Sequence, residues 1–512
     1  MKNIIKILTL FSVVLLWSGC DKDFEKINTN PIQPTSMDPA YLLTNVELNS
    51  TYTGNSISYP ATIVQQHQCP FLGVLASGNM NQNNDGTASG IWNRYFGNVK
   101  LLVDIIDKTK DDPERSNLYN MARIWKAFCF QILTDTYGDV PYTEAGLGYL
   151  DANFFPSYDT QESIYMDLLT ELESATAALN PAGKIERTDL FYAGDIAKWK
   201  KLGNSILLRV AMRLSEVNAA KAQEYAAKAF AGGVFESTSD NCVMKHTTSI
   251  GYPLYGYFTG SEQANYYLNQ TFVDFLKNTN DPRLKVISVV YSNPSLAWND
   301  PGQVADDTPA NQIGMPCGYD DQTLPNAPNF PGRSGSGFKY SQVKRNVLVK
   351  QDASCILISH AQTQLLLAEA RQRGWITSGT AEGYYQAGIR AHMEQLGTID
   401  PLAVIPDESI NEYIATATLT PDSEMRLIGE QYWVASFLDG SESWANWRRT
   451  GYPVLTPNPY PVKDIETDFI YRLTYPAAES NVNAEKVSEA IARQWGGDKS
   501  NNKLDFKVWW DK

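Results

Sequence analysis

Histidine is scarce in this chain, with four in 512 residues. His67, His246, His360 and His392 lie far apart, no two sit at one-turn spacing, and no Cys-x-x-Cys accompanies them, which argues against a zinc site or another metal. Cysteine is nearly as sparse. Beyond Cys20, the residues Cys69, Cys129, Cys242, Cys317 and Cys355 are odd in number and irregularly spaced, unlike a disulfide framework. Cys129 and Cys355 read as small buried hydrophobes, while Cys242 and Cys317 can pair only if the fold brings them together. Positive charge is neither abundant nor clustered: 43 Lys and Arg stand against 57 Asp and Glu, for a net charge of -14. A nucleic-acid partner needs a basic surface, so it is excluded. Also missing are a G-x-S-x-G elbow, a G-x-x-x-x-G-K phosphate loop and a dinucleotide G-x-G-x-x-G after a strand. After the first twenty residues no apolar run is long enough to cross a bilayer.

Paired carboxylates leave little local signature, so glycosidase chemistry has to be weighed by residue. Asp135, Asp139 and Glu144 in LTDTYGDVPYTEA are the best pair candidates, yet Gly138 and Pro141 end a helix there and Asp139 reads as a turn organiser. The structural reading is preferred, and no catalytic residue or cofactor is assigned. Asn84-Asp85-Gly86 resembles part of a calcium loop, but the acidic ligands that should follow are absent and a turn is the better reading.

What the chain has in quantity is aromatic surface. Twelve Trp and 28 Tyr exceed what a helical core requires, and these rings offer a flat apolar face with a polar edge. The densest stretch is Glu424 to Val454. Leu427, Ile428, Gln431, Tyr432, Ala435 and Leu438 recur at helical spacing, Asp439-Gly440 breaks the helix, and Trp444, Trp447 and Arg448 resume it until Gly451 and Pro453. This is a helical hairpin that must stack on neighbouring helix pairs.

At the N-terminus, Lys2 and Lys6 precede the apolar run Ile7 to Leu16, and Trp17-Ser18-Gly19-Cys20 closes it. This is a secretory signal ending in a lipobox-like motif, so Cys20 is the expected lipidated first residue of the mature chain. Trp17 departs from the usual aliphatic residue, which keeps ordinary secretory cleavage as the alternative. A proline-punctuated tether follows. Helices are then predicted over residues 39–49, 57–75, 91–109, 115–137, 160–179, 196–217 and 219–230, with Asp159 or Thr160 and Asp195 as caps. Later helices are expected at 261–278, 357–374, 381–397, 408–417 and 484–495, a strand at 286–291, and a strand-like tail at 506–510. Residues 286–345 are rich in Pro, Gly, Asn and Asp, with Trp298, Tyr319, Phe330, Phe338 and Tyr340 scattered among them. Loops of that length are functional or disordered.

TDTYGDVPYTEA (Thr134 to Ala145), NDPRL (Asn280 to Leu284), QLLLAEARQRGW (Gln364 to Trp375), YYQAGIRAHMEQLG (Tyr384 to Gly397), EQYWVASFLDGSESWANWRRTGYP (Glu430 to Pro453) and RLTYPAAESNVN (Arg472 to Asn483) resemble, in order, the signature blocks of SusD/RagB-family lipoproteins of Bacteroidetes. The resemblance implies a mostly α, SusD-like scaffold of tetratricopeptide-like helix pairs with an irregular ligand-facing part. It implies the division 1–19 signal peptide, 20–39 lipidated tether, 40–235 N-terminal helical part, 236–350 loop-rich ligand-facing region and 351–512 C-terminal helical part. It also implies a non-enzymatic, cell-surface, lipid-anchored protein of the outer membrane that captures an oligosaccharide and acts as lid to a SusC-like TonB-dependent transporter. A peptide ligand is the nearest alternative; a surface glycoside hydrolase and a helical scaffold that binds only proteins are the rivals from other classes.

Within the blocks, Trp375, Tyr384, Trp433, Trp444 and Trp447 read as packing residues. Sugars need aromatic faces and amide or carboxylate partners together, so the candidate ligand residues come from loops that mix both. These are Asn81 and Asn83 from Asn79 to Trp92, and Trp298 and Tyr319 from Trp298 to Tyr340; Trp92 and Tyr95 stand behind them as core.

Overall fold

A computed structural model describes residues 37–260 and 263–512. Cys20, the signal and most of the tether lie outside the described residues. The chain is mostly helical, and successive helices pack on one another: Pro39–Asn49 against Asp85–Thr109, then Ser116–Tyr137, Gln161–Ala178, Ile196–Arg213 and Ala219–Gly232. Each boundary has a local cause. Asn84 accepts from Thr87 N, Thr160 from Ser163 N, and Asp195 from Ala197 N and Lys198 N, satisfying first-turn amides that have no intrahelical partner. Asn84-Asp85-Gly86 is therefore a helix start.

The second helical group is His360–Gln372, Ala381–Ile399, Glu424–Ala435 and Gly440–Thr450. Its last two members form the expected hairpin, and it is held from all sides. Trp433 Nε1 donates to Val64 O at 2.9 Å, Trp444 Nε1 to Ile470 O at 3.3 Å and Trp447 Nε1 to Pro453 O at 3.2 Å. Below the hairpin runs a buried ionic chain. Glu442 accepts from Arg213 Nη2 at 2.7 Å and Tyr432 OH at 2.8 Å, Arg213 Nε reaches Asp135 at 3.2 Å, and Arg449 grips Glu369 bidentately at 2.5 and 2.6 Å. Removing one partner from such a network leaves an uncompensated buried charge, which costs about 3–5 kcal/mol.

Three expected elements differ. Residues 57–75 do not form one helix: a π turn at Ile57–Ala61 contains Pro60, and the chain then extends so that His67–Gln68 pairs antiparallel with Tyr267–Leu268. That pairing also shortens the helix expected over 261–278 to Gln270–Asn278. The tail at 506–510 is irregular and ends in a turn, with Val508 buried and Trp510 fully enclosed. Strands are short throughout; Ser288–Tyr291 is the centre of a three-stranded sheet between Ala305–Asp306 and Gln342–Val343. Under the loop-rich part lies a satellite core of Tyr267, Met315, Leu324, Ala327, Phe338 and Tyr340, separate from the main helical core.

Candidate functional site

Three segments distant in sequence meet on one loop-built face. The first follows Gly78–Met80, where Asn81 takes a left-handed φ of 54° and Asn84 opens the long helix. The second is the turn after Cys317, and the third is the proline-rich run between the hairpin and Asp464. The third staples the other two together. Asn458 Nδ2 donates to Asn79 O at 2.6 Å, Asp464 N to Asn81 O at 2.9 Å, and Asn83 N to Asp464 Oδ2 at 2.8 Å. On its other side Tyr460 OH donates to Asp320 Oδ2 at 3.0 Å, while its ring packs on Ala76 and Met80. Pro459 lies so close to Gly318 that a Cβ there would strike the ring, and Gly318 has a φ of +88° that suits glycine.

The sequence-predicted residues occupy different situations on this framework. Asn83 is exposed, with Oδ1 accepting from Thr474 Oγ1 at 3.0 Å. Asn81 is buried, and its Nδ2 has no hydrogen-bond partner. Tyr319 is half-buried against the satellite core. Trp298 is 39% exposed on a separate turn, whose Pro294 lies against Gly337 and whose Pro294 and Leu296 carbonyls are held by Arg345. Asn81, Asn83 and Tyr319 thus share the stapled face, while Trp298 projects from a neighbouring turn. Trp92, Tyr95, Trp433, Trp444 and Trp447 are buried in the main core, and Trp375 and Tyr384 pack half-buried against it. Sequence reasoning passed over the run Thr456 to Asp464, and over Leu72 and Val74, which is 87% exposed beside the same face. Its three prolines within six residues, at 457, 459 and 461, were the available signal.

Charge on the face is anionic and ordered. Burial works to raise Asp320, but hydrogen bonds from Thr323, Tyr460 and Gln322 prevail and hold its carboxyl below the usual range. Burial, with Tyr319 nearby, pushes Tyr340 up to about 12, and its buried hydroxyl has no partner. The face therefore offers carboxylate acceptors, two unpartnered polar groups near its base, and exposed apolar carbons. The carboxylates weighed for catalysis are engaged elsewhere. Asp135 accepts from Tyr165, Arg213 and Trp510, Asp139 from Gln161 N and Arg493, and Glu144 from Ser157 N and Asn153. Among the described residues no three His, Cys, Asp or Glu side chains gather to hold a metal. Cys242 and Cys317 are not disulfide-bonded. A cleft of about 520 Å³ beside Trp447 is lined by Arg373, Arg448, Arg449, Lys507 and Lys512; Glu369 and Glu216 engage Arg373 and Arg449, Asp511 engages Lys507, and the Arg448 guanidinium lies over Trp444 and donates to Tyr471 O.

The stack of helix pairs thus bears a loop-built face that combines an aromatic ring, amides and carboxylates. A sequence profile for a SusD-like family, described as starch-binding and associating with the outer membrane, matches residues 31–476, and the chain belongs to that family. Among solved structures it is similar to a chitin-binding protein at 33% identity and TM-score 0.78, covering 93% of this chain and 100% of that one. A Bacteroidetes AC2a SusD-like protein matches at 26% identity and TM-score 0.79, and a SusD homologue from Bacteroides fragilis at 25% and 0.75, each over 93% of this chain and 100% of the other. No curated protein matches the sequence. Among the described residues no helix is long and apolar enough to cross a membrane.

Proposed function

We propose that this chain is a non-enzymatic, cell-surface lipoprotein, anchored through Cys20, that captures an oligosaccharide and delivers it to a SusC-like TonB-dependent transporter as its lid. The observation that carries the ligand reading is the stapling of the Asn81–Asn83 loop to the Tyr319 loop by Asn458, Tyr460 and Asp464. It puts an aromatic ring, amides and carboxylates on one shallow surface, the chemistry that stacks on sugar C–H faces and pairs with hydroxyls. The family description favours a glycan, and the chitin-binding relative at 33% identity favours an N-acetylated, β-linked one. Exposed Leu72 and Val74 supply apolar carbons for acetamido methyl groups.

Asn83 and Tyr319 are proposed as the first contacts, Asn81 as a buried amide at the base of the face, and Trp298 as an outlying contact. The test is calorimetric titration of the chain starting at Asp21 with chito-oligosaccharides, malto-oligosaccharides and short peptides, with product analysis of each mixture. Saturable chito-oligosaccharide binding without cleavage is expected, weakened about five- to thirtyfold by Tyr319→Ala, since loss of one stacked ring costs on the order of 1–2 kcal/mol. Binding of peptides alone would change the substrate and keep the family; cleaved product would overturn the non-enzymatic reading.

A further inference from the structure

The loop after Gly146 displays apolar rings where a soluble surface would not. Tyr149 is 88% exposed, Phe154 66% and Phe155 58%, with Leu150 beside them. Scattered exposed hydrophobes are ordinary, but four within seven residues form a patch that calls for a partner.

The loop is built to hold them out. Gly146 sits against Lys100 and Val103 of the Asp85–Thr109 helix, Asp151 N donates to Leu147 O at 2.8 Å, and the Phe154 ring folds over Gly148. Glu144 then clamps the far side, accepting from Ser157 N at 2.8 Å and Asn153 Nδ2 at 3.1 Å. Ordering these rings in water has no evident structural benefit within the chain.

Its location supplies the occupant. Tyr149 and Leu150 line a cleft with Lys100, Leu101, Asp104 and Lys108, and the Lys110 ammonium, held chiefly by Asp107, also feels the Asp151 carboxylate. Lys110 begins the tight turn that leads to Arg115, and Arg115 is ion-paired with Asp38, where the described chain begins. Met37, Tyr41 and Ile185 are exposed at that same end, Ile185 next to Glu186, which also pairs with Arg115. From Cys20 to Asp38 the chain can extend at most about 60 Å, so a lipidated Cys20 holds this end of the molecule, and the loop beside it, within that distance of the bilayer.

We propose that the Tyr149–Phe155 loop is a membrane-contact element that inserts its rings into the interfacial zone of the lipid surface to which the chain is tethered. The proposal rests on the anchored reading above for its geometry. Charges beside the loop are mixed, Lys100, Lys108, Lys110 and Lys486 facing Asp104, Asp107, Asp111, Glu144 and Asp151, so the attraction is apolar and not coulombic. Aromatic side chains with one apolar body and, for Tyr149, one polar tip suit the headgroup boundary.

The decisive measurement is sedimentation of the unacylated chain starting at Asp21 with phosphatidylcholine vesicles. The triple variant Tyr149→Ser/Phe154→Ser/Phe155→Ser is expected to partition at least tenfold more weakly, with no change between low and high salt in the parent chain. All three positions are exposed, so thermal unfolding should be unaltered; the single change Phe155→Ser serves as a second variant and should give an intermediate loss. Equal partitioning of parent and variants overturns the proposal, as does binding that salt abolishes. In the acylated protein on the same vesicles, a polarity-sensitive dye on Phe155→Cys should be quenched by nitroxide lipids and one on Val404→Cys should not. A dye shielded from water yet unquenched would mean that a protein surface or the tether covers the loop, and would also overturn it. Mass analysis of the N-terminal peptide reports acylation of Cys20 separately, so failure of the anchor and failure of the loop are distinguishable.

Discussion

His67 shows how one residue's environment sets a property of the whole chain. It is fully buried, stacked on Phe437 at 5.2 Å and tilted against Phe258 at 5.7 Å, and neither ring nitrogen has a partner. Burial pushes its pKa down to about 3, pushes that of His360 to about 4, and lowers that of His392, which also lies beside Arg283. Each of these imidazoles is neutral in the fold but takes a proton when unfolded below about pH 6.5, so the unfolded state binds more protons and stability falls as pH drops. For a single histidine the slope approaches about 1.4 kcal/mol per pH unit between the two pKa values. His67→Phe keeps the stacked ring and removes one titrating group. Thermal melts from pH 7.5 to 4.5 should show a shallower decline for the variant and equal or higher stability at the acid end; identical slopes would refute the assignment. In the sequence His67 was only an isolated histidine, because its burial comes from residues some 190 and 370 positions away.

At the scale of elements, the closing segment does more than its strand-like pattern promised. Trp510 Nε1 donates to Asp135 Oδ1 at 2.9 Å, and the guanidinium groups of Arg213 and Arg448 lie over its ring at 5.5 and 4.8 Å. The last residues thereby cap the ionic chain that joins the 116–137, 196–213 and 440–450 helices. Trp510→Ala should destabilise the protein by about 3–5 kcal/mol, the usual cost of emptying a large buried aromatic site. Trp510→Phe, which keeps a ring and loses the hydrogen bond, should cost only about 1–2 kcal/mol. Urea titrations followed by far-ultraviolet circular dichroism would distinguish these; a Trp510→Ala midpoint equal to the parent's would mean that the tail only decorates the scaffold. The helices around this segment were legible in advance, since stripes such as Ile124, Phe128 and Ile132 repeat every turn and the caps, Asp195 and one of Asp159 or Thr160, stand in plain view; the fold uses Thr160.

On the proposed reading, capture and anchoring are separate properties of the whole molecule. A shallow face built from one ring and a few polar groups binds weakly by itself, and confinement above a transporter raises the effective concentration of the captured ligand. The chain starting at Asp21, which lacks Cys20, should therefore titrate as the acylated protein does, while in cells Cys20→Ala should release most of the protein from the outer-membrane fraction and reduce uptake of labelled oligosaccharide. Membrane fractionation together with an uptake time course tests this. Full retention of the unacylated protein even when it carries Tyr149→Ser/Phe154→Ser/Phe155→Ser would place the anchor elsewhere.

By itself the sequence determined the helical class and the family, because both are written in local repeats, caps and ordered blocks that neighbouring residues enforce. It also singled out Asn81, Asn83, Trp298 and Tyr319 on loops as candidate ligand residues. Only the tertiary structure decided that the loops of Asn81, Asn83 and Tyr319 share a face, since Asn458, Tyr460 and Asp464 reach them across roughly 140 to 380 positions. It likewise decided that the helical run from residue 57 stops short, so that His67–Gln68 pair with Tyr267–Leu268. A long-range backbone pairing can override local propensity, and its partner cannot be read from spacing along the chain.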